Sequence, residues 1–182
     1  MIRSHARNMA RIPAQNKALP TSRIEPCMAP WCPAEVRVFA QRDELAIDLP
    51  ALLNATRRFF DATVDVQSRS EAGDQVEVLL NCDKHDYQGR LQIRSRRVLD
   101  ADLVDARVAE ARGRAAGMAG LAERCKVIWE VESLGNDSPL ARLNLCGILA
   151  SVGLGPVLPD DLSTLYGVRG SMERVERLLR ER

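Results

Sequence analysis

Stretches in which apolar residues recur at every second position alternate along this chain with stretches in which they recur every three to four, and that order confines it to folds mixing sheet and helix. Val36, Val38 and Ala40 alternate with Arg37, Phe39 and Gln41, which predicts a strand from residue 35, and a turn at Arg42-Asp43 leads to a second expected strand at 45–48. Asp48 then precedes Leu49-Pro50, an N-cap followed by an early proline, and Leu52, Leu53, Thr56, Phe59 and Phe60 share one helical face up to about Ala62. Residues 64–66 and 76–80 read as strands around a polar, glycine-containing loop at 68–74, and Leu91 with Ile93 as a short third strand. A helix is expected from Leu99 to about Arg112, with Val104, Val108 and Ala111 on its inner stripe and Asp100, Asp102 and Asp105 near its dipole-positive end.

The last third follows the same grammar. Val127, Trp129 and Val131 mark a strand, 135–139 a loop, cap and first turn, and Leu145, Ile148, Leu149 and Val152 a helix face stopped by Gly153 and Gly155. Two strands are expected at 157–158 and 164–168, and a final amphipathic helix carries Met172, Val175, Leu178 and Leu179. The fold class is therefore α+β, with a ferredoxin-like βαββα unit at the C-terminus. The segment 35–112 runs in nearly the same order, so the chain reads as two such lobes, 34–117 and 118–182, divided in the stretch holding Gly113, Gly117 and Gly120. Residues 1–33 show neither period and are broken by Pro13, Pro20, Pro26, Pro30 and Pro33, which predicts a disordered basic arm.

Composition narrows the function. With 26 basic and 25 acidic residues the net charge is +1, so the chain as a whole has no pull toward phosphate polymers or anionic lipid, and nucleic acid is disfavoured as a partner. Aromatics are only 4% of the chain, so the core must be aliphatic. The five cysteines are odd in number and mostly far apart, which argues against a secreted disulfide framework and for a reducing, cytoplasmic setting. The longest apolar run, 143–158, is interrupted by Asn144, Ser151 and Pro156, so no membrane span is expected. Arg3, Arg7, Arg11, Lys17 and Arg23 precede the first acid, Glu25, without an apolar signal core; that composition also matches a transit peptide, but a solvated tail or an early start codon is the preferred reading.

The sequence 131–140, Val-Glu-Ser-Leu-Gly-Asn-Asp-Ser-Pro-Leu, followed by Ile148-Leu149-Ala150-Ser151-Val152-Gly153-Leu154, resembles the start of an ACT-type regulatory domain. The resemblance covers residues 124–182 and departs from the family at Leu140, where glycine usually follows the proline, and in lacking a last strand. It implies a module that pairs with a second copy and binds a small metabolite near Gly135, Asn136, Asp137 and Ser138. A second resemblance, of 158–169 to the first helix and turn of a winged helix-turn-helix, departs where Gly170 stands at the start of the recognition helix and where Met172 and Val175 fall out of phase.

Several clusters can carry chemistry. Cys82-Asp83-Lys84-His85-Asp86 follows a buried strand, so Cys82 with His85 as base, or Asp83, His85 and Asp86 around a metal, are candidate centres. Adjacent strand residues face opposite ways, however, and a polar hairpin turn with a half-buried cysteine is the plainer reading. Cys27 and Cys32 lack the spacing of a structural zinc site, and no metal or cofactor is expected. Arg90, Arg94, Arg96 and Arg97 read as a self-compensating face, and Glu130 and Glu132 as an exposed strand face. Arg169 and Ser171, at the turn into the last helix, are candidates to hold an anion. The reading adopted is a non-enzymatic, small-molecule-sensing or self-associating α+β regulatory module, a homo-oligomer taking a small anionic metabolite. The alternatives are a small enzyme using the 82–86 cluster and a DNA-binding regulator with a degenerate helix-turn-helix at 158–180.

Overall fold

The computed structural model describes residues 36–135 and 138–181, so the expected arm lies outside the described residues. Six strands, β1 (Val36–Ala40), β2 (Thr63–Arg69), β3 (Gln75–Cys82), β4 (Tyr87–Arg97), β5 (Val127–Ser133) and β6 (Val157–Pro159), form one sheet in the order β2-β3-β4-β5-β1-β6, every adjacent pair antiparallel. The helices among the described residues are α1 (Leu49–Phe59), α2 (Asp100–Gly113), α3 (Met118–Ala122), α4 (Pro139–Gly153) and α5 (Val168–Arg180). The class is α+β.

The strand order has one long-range feature. β1 lies between β5 and β6 and pairs antiparallel with both, so β5 and β6 run parallel on either side of it, joined by α4. This is a split βαβ unit whose middle strand comes from the other end of the chain. The expected boundary near residue 118 falls at the start of α3, and strands from both sides of it share the sheet. Residues 164–168 do not form the expected strand of a βαββα unit. Leu162 takes a left-handed φ of +50°, which bends the chain, and only Tyr166 bridges back, to Val157.

One face of the sheet carries α1, α4 and α5. Residues 140–150 of α4 are all buried, as a helix apolar on every side must be, because α4 lies between the sheet and the other two helices. Val36, Val38, Trp129, Val131, Leu91 and Ile93 point to this side with Leu143, Ile148 and Leu149. The expected 45–48 strand is irregular, and its last residue does the local work: the Asp48 carboxylate accepts from the Ala51 N–H at 3.0 Å and caps α1, which lowers its pKa.

Among the described residues, the other face is covered at the β5-β1-β6 end. Ala106 and Ala109 of α2 and Ala119 and Ala122 of α3 pack there on Phe39, Ile128 and Leu158. The expected inner stripe of α2 is therefore corrected: Val104 is 55% exposed and Ala111 is exposed, while Ala106, Ala109 and Asp102 are buried. Small residues let the helix approach the sheet, and Asp102 can be buried because Arg37 (2.9 Å) and Arg96 (2.6 Å) both pair with it. β4 runs longer than its apolar pair suggests, since its arginines find acids across the ladder: Arg90 with Glu77, Arg94 with Glu132, Arg96 with Glu130. The four-arginine patch is thus largely neutralised in place.

Candidate functional site

The polar knot after β3 is a tight hairpin. Cys82 ends the strand, Asp83–His85 form a single 3-10 turn, Asp86 takes φ +49°, and Tyr87 opens β4 directly opposite Cys82. This geometry separates the catalytic candidates. Cys82 is 2% exposed within the main core, and its thiol donates to the Asp61 carbonyl at 3.5 Å. His85 and Asp83 are exposed on the turn, and neither is hydrogen-bonded to that sulfur. No group of three or more metal-ligating side chains occurs among the described residues.

The same turn instead forms one wall of a cleft of about 220 Å³. Phe60 and Asp61 enter from the end of α1, and Lys84, His85 and Tyr87 from the hairpin. Asn144 lies on the floor from α4, and Ser171, Met172, Val175, Glu176 and Leu179 form the wall supplied by α5. At the mouth Lys84 pairs with Asp61 at 3.0 Å, with both side chains mostly exposed; the hydrogen bond the ammonium donates to that carboxylate raises the lysine pKa. Glu176 faces Arg180 at 3.4 Å. The rim is thus close to electrically neutral.

The floor is polar but uncharged. Asn144 is 5% exposed, and its amide N–H donates to the Tyr87 hydroxyl at 2.7 Å. Ser171 is 1% exposed, and its hydroxyl is buried with no hydrogen-bond partner among the described residues. Ser171 packs on α4 at Gly147, one turn beyond Asn144, where a built Cβ would stand 3.0 Å from both the Ser171 Cβ and the Phe60 ring. A buried polar group without a partner costs roughly 1–3 kcal/mol, so the Ser171 hydroxyl, on a residue that lines the cleft, requires an explanation.

The sequence candidates are only partly brought together. His85 and Ser171, taken from two separate clusters, line the same cleft. Arg169 does not: its side chain is 93% exposed and pairs with Glu173 at 2.9 Å. Gly135 is exposed with open space around it, and Ser138 starts α4 away from the cleft lining. Asn136 and Asp137 lie outside the described residues. Sequence reasoning missed Asn144 and Tyr87. The available signal was an amide set in the middle of the apolar run 140–150, where a polar side chain requires a built partner.

At 158–180 there is one helix rather than two, because 157–159 is a strand and 160–166 a bend with a single bridge. No helix of the described residues is long and apolar enough to cross a membrane. Comparison of the chain with protein-family models, curated proteins and solved structures returned no match.

Proposed function

We propose that the protein is a non-enzymatic binding module that takes a small molecule in the cleft between the 83–87 hairpin and α5. The observation that supports this reading is the cleft lining, where an apolar wall carries two buried polar residues, Asn144 and Ser171, and the Ser171 hydroxyl has no hydrogen-bond partner among the described residues. An enzyme has less behind it, since Cys82 is sealed in the core and His85 has no nucleophile bonded to it among the described residues. The ACT-type resemblance would put a ligand at 135–139; in the present reading the cleft takes that place. Self-association through a sheet edge also has less support. β1 fills the gap in the split βαβ unit, and the outer strand β2 carries a register shift between Val66 and Ser68 with exposed Asp65 and Arg69, features that protect an edge.

The test is a thermal-shift screen of small fragments against the wild type and Val175→Trp, whose ring fills the cleft. Fragments are expected to raise the midpoint of the wild type and not of the variant. A screen in which none does so at millimolar concentration removes the reading.

A further inference from the structure

Independently of the cleft, we infer that the outward face of α2 pairs antiparallel with α2 of a second copy of this chain, about a two-fold axis near Ala106. The helix is apolar on two sides. Ala106 and Ala109 are buried on the sheet, while Ala101, Val104, Val108 and Ala111 follow the a and d spacing of two heptads on the other side. Of these, Val104 is 55% exposed, Ala101 and Ala111 are exposed and Val108 is half-buried. The seam cannot turn inward, because the pairs from Asp102 to Arg37 and Arg96 fix the rotation of the helix. A helix apolar on both sides is one that is covered on both sides, and an a/d seam is the surface by which one helix packs on another.

The seam is matched to itself. Val104 and Val108 stand two residues on either side of Ala106, and Ala101 and Ala111 five residues on either side. Antiparallel pairing about that point sets Val104 against Val108 of the second copy and Ala101 against its Ala111, a symmetry that a partner of other sequence would not require. Charge selects the direction. Asp100 lies in the first turn of α2, Arg112 in its last turn and Arg114 at its cap. Asp100 and Arg114 have no ion pair among the described residues, and Arg112 donates to the Asp161 carbonyl oxygen at 3.4 Å without an acidic partner among them. Antiparallel pairing brings the acidic end of each helix beside the basic end of the other and opposes the two macrodipoles, whereas parallel pairing sets like charge on like. Asp105 and Arg107, which meet their own counterparts near the axis, are already neutralised within the chain, by Arg37 at 2.9 Å and Glu123 at 2.7 Å. One helix face from each copy, ~21 Å long for a 14-residue helix, is smaller than a standard interface, so the dimer is a weak one that forms with concentration.

Sedimentation velocity of the full chain between about 1 µM and about 500 µM is expected to show monomer passing into dimer. Val104→Glu puts a charge in the middle of the seam at an exposed position, so it should keep the wild-type circular dichroism and weaken association about tenfold or more. Asp100→Arg, and Arg112→Glu made together with Arg114→Glu, each set like charge on like and should each weaken association severalfold. Mixed in equal amounts, these two variants should associate at least as tightly as the wild type, because every helix end then meets its opposite. A wild-type chain that stays monomeric over the whole range overturns the inference, and so does a dimer that survives Val104→Glu with its fold intact. Should Val104→Glu fail to fold, Ala111→Glu, at an exposed end of the seam, is judged by the same criterion. Charge variants that associate like the wild type when alone, or no more tightly when mixed than when separate, overturn the antiparallel pairing.

Discussion

Asp102 shows how much one side chain can fix. It accepts from Arg37 on β1, from Arg96 on β4 and from the backbone N–H of Leu99, so it ties α2 to two strands at once. Burial pulls its carboxyl upward, but the hydrogen bonds from Arg96, Leu99 and Arg37 outweigh that and hold it at about 2, below the ordinary 3.8. A folded pKa below the unfolded one stabilises the protein above about pH 4, and the contribution is lost as pH falls toward 2, amounting to roughly 2 kcal/mol for this one group. Asp102→Asn is expected to destabilise at pH 7 near the lower end of the roughly 3–5 kcal/mol seen when a buried pair is broken, since Arg37 keeps Asp105 and Arg96 keeps Glu130. Urea midpoints measured from pH 7 to pH 2 should fall less steeply for the variant. Equal slopes would show that Asp102 is not the titrating group.

At the scale of elements, the packing of α4 against β1 depends on its exit. A Cβ built on Gly155 would stand only 2.1 Å from the Phe39 carbonyl oxygen, where the chain leaves the helix and the Pro156 carbonyl accepts from the Phe39 N–H at 2.9 Å. Gly155→Ala must push β6 off β1 and is expected to cost at least the upper part of the roughly 1–3 kcal/mol of an overpacked core. Gly135→Ala, in open space, should be within about 0.5 kcal/mol of the wild type. Thermal unfolding of the two variants side by side checks the pair. These elements also show what the sequence could tell. β1, β5, the Asp48 cap and the 82–87 turn were legible because alternation and capping are local. The phase of α2 was not, because its buried face is set by a charge whose two partners lie on distant strands, and periodicity scores Val104 above Asp102. The cleft was legible only in pieces. His85 and Ser171 each stood out, but a floor made by Tyr87 and Asn144, 57 residues apart, follows from topology and not from spacing.

For the whole molecule, the decisive fact is that β1 has no partner among the strands that follow it before Val127; it pairs with β5 and β6 alone. Fragments 36–117 and 118–181, made separately, are expected to lack cooperative unfolding, the first because β1 is unpaired and the second because its split unit is empty in the middle. Mixing them should restore a common transition by circular dichroism, and independent cooperative melting of either would show that it folds by itself. The same arrangement bears on synthesis. At about 5–20 residues per second, roughly 4–17 s separate the polymerisation of Ala40 from that of Val127. During that interval Val36, Val38, Phe39 and Ala40, which are fully buried in the finished protein, have nowhere to go. A ribosome carrying this chain therefore presents a sticky strand early and its receptor late, and the burden of keeping that strand from other nascent chains falls on the cell's chaperones.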